Sequence, residues 1–209
     1  AATDVAPSRL DAAKQTSIDF VKSLPEQYNV AVVSMSGNPA TRLGPTTDRT
    51  MASRAIQSLT LQDSTAIGDA IYVALSAIQM APKGSDGSIA PGAIVMLSDG
   101  QNTAGRSPQQ AATQAKQDKV PIHAIAYGTE NGSVDLDGKR ERVPPDADLM
   151  RTIASETGGT FAAAESAGDL SRVYQSIRSE IGYDEVKKET TANWAGYGLA
   201  FAVVAALAA

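Results

Sequence analysis

The chain reads as an α/β protein: a doubly wound, mostly parallel sheet with helices on both faces, one antiparallel edge strand and an apolar C-terminal segment. Three observations predict this. Residues 30–35, 93–97 and 122–127 are short, nearly continuous apolar runs flanked by Gly or Pro, as strands buried on both faces require. Between them lie segments with apolar residues at helical spacing, several opened by a capping residue. Strands that alternate with helices imply a parallel sheet covered on both sides.

Each element has a local reason. Ser8, with Asp11 three residues on and Pro7 before it, starts a helix that turns Leu10, Ala13, Phe20, Val21 and Leu24 inward. The strand over 30–35 follows. A turn at Gly37-Asn38 then leads to a short antiparallel edge strand around Arg42 and Leu43. Asp48 caps a second helix carrying Ala52, Ile56 and Leu59, and a third follows Thr65 with Ile67, Ile71, Ala74, Leu75 and Ile78 on one stripe. Residues 83–91 are Gly/Ser-rich and read as a loop before the strand at 93–97. Ser107-Pro108-Gln109-Gln110 combines a cap, the favoured first-turn proline and a glutamine at the third position. After the strand at 122–127, residues 133–144 form two polar arms around Asp137-Gly138, a strong hairpin signal. Asp146 opens a helix with Leu149 and Ile153, which Gly158-Gly159 ends. A weaker strand at 160–164 precedes a last helix, capped by Ser166 with Asp169, with Leu170, Val173, Tyr174, Ile177 and Ile181 inward. An α/β domain that begins with a capped helix lacks the strand expected to feed it, so the first strand is expected to lie before Ala1.

Composition narrows function. The 209 residues are 43% hydrophobic and 20% charged, which are globular values. Eighteen Lys and Arg against 23 Asp and Glu give a net charge of −5, and no basic stripe occurs, so nucleic acid is not an expected partner. With no cysteine and one histidine, His123, zinc fingers, iron–sulfur clusters, cysteine nucleophiles and multi-histidine metal sites are excluded. No phosphate-binding glycine loop and no nucleophile elbow is present. His123, inside an apolar strand, reads as a packed, hydrogen-bonded residue. Residues 190–209 carry no charge and include Trp194 and Tyr197, which suit a membrane interface. The expected division is a domain over 1–183, a linker over 184–192, and the start of a transmembrane helix over 193–209.

Two residues could carry chemistry. In open α/β sheets ligands bind beyond the carboxyl ends of the strands. Asp99 stands at the tip of the 93–97 strand, followed by Gly100, and Thr65 stands at the start of the third helix. A hydroxyl and a carboxylate at one sheet edge form a partial site for a hard cation such as magnesium, which prefers oxygen ligands. Read alone, Thr65 serves equally as a helix cap and Asp99 as the cap of a turn.

The segments 64–70 (Ser-Thr-Ala-Ile-Gly-Asp-Ala) and 97–100 (Leu-Ser-Asp-Gly) resemble two of the three metal-site segments of von Willebrand factor type A domains. The resemblance runs from about Ala2 to Ile181. Residues 2–10, Pro45-Thr46-Thr47-Asp48, Ile181-Gly182-Tyr183 and the apolar C-terminal run look like bacterial, Bat-type membrane-anchored members. The third segment, Asp-x-Ser-x-Ser, is absent from this sequence, and the family pattern would put it just before Ala1. The resemblance implies a metal-ion-dependent adhesion site with Thr65 and Asp99 as ligands of Mg²⁺ (or Mn²⁺ or Ca²⁺), completed by an acidic side chain of a protein partner. It also implies an extracytoplasmic domain at the plasma membrane and a functional link to MoxR-type AAA+ ATPases. The expected function is a membrane-tethered, metal-dependent interaction module and not an enzyme. The alternatives are a scaffold without a working metal site and, further off, a metal-assisted hydrolase drawing on Asp63 or Asp69.

Overall fold

The computed structural model describes residues 8–60, 64–83, 87–88, 91–98, 101–129, 133–136, 139–142, 145–189 and 200–206. Helix α1 (Arg9–Ser23) starts where expected: Ser8 Oγ accepts the Asp11 N–H at 3.1 Å and donates to the Asp11 carboxylate at 2.7 Å. Strand β1 (Asn29–Ser34) turns into β2 (Ala40–Thr46), its antiparallel edge partner. Asp48 caps α2 (Arg49–Gln57) through the N–H groups of Thr50 and Met51. Then come α3 (Ile67–Gln79), β3 (Gly92–Ser98), α4 (Pro108–Gln117) and β4 (Ile122–Tyr127). The hairpin forms as β5 (Ser133–Leu136) and β6 (Lys139–Arg142), while its Asp137-Gly138 turn lies outside the described residues. Asp146 caps α5 (Ala147–Thr157), which ends at Gly158, and β7 (Phe161–Ala164) leads to α6 (Ala167–Glu189).

The main sheet has the order β2-β1-β8-β3-β4-β7, parallel apart from β2. Alternation along each strand feeds two cores. Val30, Val32, Val95, Leu97 and Ile125 face α1, α2 and α6, where Phe20 stacks on Tyr174 with ring centroids 4.6 Å apart. Ala31, Val33, Ile94, Met96 and Ile122 face α3, α4 and α5. Both faces of the sheet are therefore covered, which is why its strands are apolar throughout rather than alternating. His123 is packed as expected: it is 6% exposed, and its Nδ1 lies 2.8 Å from Thr160 Oγ1.

The C-terminal expectations need correction. Helix α6 continues through Glu189, so the linker expected from 184 is helical over its first six residues. The segment Asp184 to Glu189 is rich in Lys and Glu, which favour helix. Residues 200–206, expected within a transmembrane helix, form strand β8 (Ala200–Ala206) in the middle of the sheet. It pairs in parallel with β1 on one side, Val32 opposite Val203, and with β3 on the other, Ser98 opposite Ala206. The physical reason is backbone pairing. A seven-residue apolar segment seated between β1 and β3 pairs its backbone on both sides, and Phe and Val are residue types with high strand propensity. Among the described residues no helix is long and apolar enough to cross a membrane.

Candidate metal centre

Strands β1, β3 and β4 end at one edge of the sheet, at Ser34, Ser98 and Tyr127. From β3 the strands proceed outward one way to β4 and β7, and the other way to β8, β1 and β2. This is a switch point, where open α/β sheets place their ligands. Ser98 is 1% exposed and hands the chain to Asp99, which lies outside the described residues. Thr65 reaches the same edge from the other direction, immediately before α3, and is 2% exposed.

Thr65 is held by its backbone. Its N–H donates to Thr103 Oγ1 at 2.9 Å, and its carbonyl accepts from the N–H groups of Thr103 at 2.9 Å and Ala104 at 3.2 Å. The next N–H, of Ala66, donates to the carbonyl of Ser36 beyond the end of β1 at 3.1 Å. The N–H of Ile67 donates to Asn102 Oδ1 at 2.8 Å. The residue in the N-cap position of α3 is Ala66, and no side chain there makes a cap bond. Capping of α3 thus comes from Asn102, 35 residues further along the chain. The reading of Thr65 as the cap does not describe this helix.

A second clamp fastens the same loop. The Asp69 carboxylate accepts from Arg106 Nε and from the Arg106 backbone N–H, and the Arg106 guanidinium stacks 3.8 Å from the centre of the Tyr72 ring. Two glycines permit the approach. A Cβ on Gly68 would lie 2.2 Å from the Arg106 carbonyl oxygen, and one on Gly105, at φ +75°, would lie 2.1 Å from Asp69 Oδ2. The Arg106 side-chain hydrogen bond, reinforced by its backbone N–H and its charge and opposed by partial desolvation, holds the Asp69 carboxyl below the usual carboxylate range. Asp69 lies in the first turn of α3, and its oxygens are committed to Arg106. A carboxylate kept ionised by a paired guanidinium is a poor proton donor, which weakens the hydrolase alternative where it draws on Asp69. Asp63 lies outside the described residues.

The donor chemistry can be tested against a hard cation. Among the described residues no three His, Asp or Glu side chains converge as a metal site. What the edge supplies is hydroxyl oxygen, from the buried Thr65 and Ser98, and Asp99 next to Ser98 in sequence. That set suits magnesium or manganese in kind, since these ions accept a few protein oxygens and keep several waters. Asn102, Thr103 and Arg106 were not singled out from sequence. The available signal was the polar run Gln101-Asn102-Thr103 directly after Asp99-Gly100, together with a helix that has alanine in its N-cap position.

Comparison with known proteins agrees with this architecture. Residues 2–176 match the family model of the von Willebrand factor type A domain. The chain is 35% identical to a UPF0353 protein of Mycobacterium bovis, with 100% of this chain aligned to 64% of that protein; it thus spans about two thirds of that relative's length. Among solved structures, BatB of Bacteroides thetaiotaomicron superposes with a TM-score of 0.72 at 22% identity, covering 88% of this chain and 92% of BatB. Proximal thread matrix protein 1 of the mussel byssus, whose MIDAS motif is occupied by zinc, superposes with a TM-score of 0.62 at 18% identity, over 81% of this chain and 42% of that one. Likeness at these identities is likeness of fold.

Proposed function

Because the chain belongs to the von Willebrand factor type A domain family, we propose that it serves as a protein-interaction module whose binding edge depends on a divalent cation. The observation that carries this reading is Thr65: a buried threonine at the C-terminal edge of the sheet, fixed by Thr103 of the loop that follows Asp99, while Asn102 of the same loop caps α3 at Ile67. Thr65 and Asp99 are the residues of this chain that would hold Mg²⁺ or Mn²⁺. When bound, the ion would supply a hard, octahedral acceptor for one carboxylate of a partner protein. Thr103, Ser36 and Asn102 accept from the consecutive N–H groups of Thr65, Ala66 and Ile67, so little ordering is left to be done when a partner arrives. The Asp69–Arg106 pair holds the loop against α3 and keeps the Asp69 carboxylate away from competing coordination.

The same proposal places the domain at the extracytoplasmic face of the plasma membrane, a placement that rests on the resemblance to Bat-type proteins. It includes a functional link to a MoxR-type AAA+ ATPase, which rests on the sequence resemblance to Bat-type proteins alone. The test is Mn²⁺ binding followed by electron paramagnetic resonance, with partner capture in Mg²⁺ and in EDTA, all on the full-length protein. Thr65→Ala is expected to weaken Mn²⁺ binding at least about tenfold with an unchanged thermal midpoint, and Thr65→Ser to restore it. Partner capture that is equal in Mg²⁺ and EDTA would overturn the reading and leave a metal-free scaffold.

A further inference from the structure

Beside the metal edge, between α1, α2 and the end of β1, lies a crevice of about 100 Å³. That is room for several waters or one small side-chain head group. Its inner wall is apolar, formed by Leu10, Met35, Ile56 and Leu59. Two cations stand at it, Lys14 and Arg42, and no Asp or Glu is among the described residues that line it. This is unusual for a chain in which 23 acidic residues outnumber 18 basic ones.

Both cations are held in place by contacts that do not neutralise them. Lys14 Nζ donates to the Gln57 carbonyl at the end of α2, at 2.9 Å. Arg42 Nε donates to Ser34 Oγ at 3.0 Å, and Ser34 Oγ in turn donates to the Ala40 carbonyl at 3.3 Å. The terminal amino groups of Arg42 bond to no described residue, and neither cation pairs with a described carboxylate. An arginine anchored through Nε presents its two terminal amino groups in the geometry that takes a carboxylate bidentately. The crevice is also continuous with the metal edge: Ser36, which lines it, accepts the Ala66 N–H next to Thr65.

We propose that this crevice is a second, metal-independent anchor for a glutamate side chain of the protein partner, with the carboxylate on Arg42 and Lys14 and the methylenes against Ile56 and Leu59. The identity of the occupant follows from the two halves of the site. Two cations select an anion, and an apolar wall behind them favours a carboxylate carried on methylenes over inorganic phosphate, which has only polar surface. That the carboxylate belongs to a protein rests on the interaction-module reading above; the binding chemistry of the crevice does not.

The experiment separates the two. The ¹⁵N-labelled full chain is titrated in EDTA with N-acetyl-glutamate amide, N-acetyl-glutamine amide and inorganic phosphate, following amide shifts. The expected result is that the glutamate peptide shifts the amides of Ser34, Arg42 and Ser58 and binds at least about fivefold more tightly than its glutamine counterpart. Arg42→Gln should remove that preference while leaving the rest of the spectrum intact, since Arg42 lies on the exposed side of an edge strand. Equal binding of the two peptides, or a preference untouched by Arg42→Gln, would overturn the proposal. Tighter binding of phosphate than of the glutamate peptide would also overturn it, by making the crevice a free-anion site. Because EDTA is present throughout, failure here leaves the metal reading standing, and failure of Mn²⁺ binding by the full-length protein leaves the crevice standing.

Discussion

Asp69 shows how one side chain can fasten the C-terminal edge of the sheet from outside the proposed metal site. Its ion pair with Arg106 bridges α3 and the loop after β3, and it sits on two glycines that let the backbones close. The pair is partly exposed, with side-chain accessibilities of 25% for Asp69 and 57% for Arg106. Its contribution to stability is therefore screened, about 1 kcal/mol or less. The pH dependence has a definite sign. The folded-state carboxyl is depressed, so the contribution is fully present above the unfolded value of about 3.9 and is lost as pH falls through the lower folded value. Asp69→Asn should lower the urea midpoint slightly at pH 7 and flatten its decline below pH ~4. An identical acid slope in wild type and variant would show that the pair contributes nothing.

At the scale of elements, the geometry around Thr65 depends on how closely α3 meets the 101–107 loop. Gly68 is the pinch point. Adding one methyl there drives a Cβ into a backbone carbonyl, which cannot rotate away, whereas a Cβ at Gly44 in edge strand β2 meets nothing within 4 Å. Gly68→Ala should cost about 1–3 kcal/mol by overpacking, and the Thr65–Thr103 hydrogen bonds should loosen with it. Gly44→Ala serves as the control and should stay within about 0.5 kcal/mol. Paired urea denaturation curves check the stabilities, and amide exchange at Thr65 and Thr103 checks the loosening. Equal midpoints for the two variants would show that the loop can retreat without cost.

For the whole molecule the open balance concerns residues 190–209. In the structure, 200–206 pair as β8 at the centre of the sheet; in a bilayer the same stretch would have to be helical, because only helices and closed barrels satisfy their backbone there. The two seats are exclusive. The proposed tether predicts that the full-length protein sediments with membranes after carbonate extraction, and that deleting 190–209 releases a folded, cooperatively melting domain. Loss of the cooperative melt on deletion would instead make β8 essential to the sheet and remove this segment as the anchor.

Much of the fold was legible before any tertiary contact was known, because its determinants are local. Ser8, Asp48, Ser107, Asp146 and Ser166 each bond within three residues of themselves, so the starts of five helices follow from short-range chemistry. The apolar runs became β1, β3 and β4 because a strand covered on both faces has no polar side to show. Thr65 could be singled out as a residue type at a strand-and-helix edge. Asp99 was singled out in the same way, though it lies outside the described residues. What tertiary structure decided are relations across long stretches of chain. Asn102 caps a helix that begins 35 residues earlier, and Arg106 neutralises a carboxylate 37 residues away. A run such as Ala-Phe-Ala-Val-Val-Ala-Ala is apolar enough for a membrane helix and branched enough for a strand. Hydropathy cannot separate the two, since the choice depends on which backbone partners stand on either side.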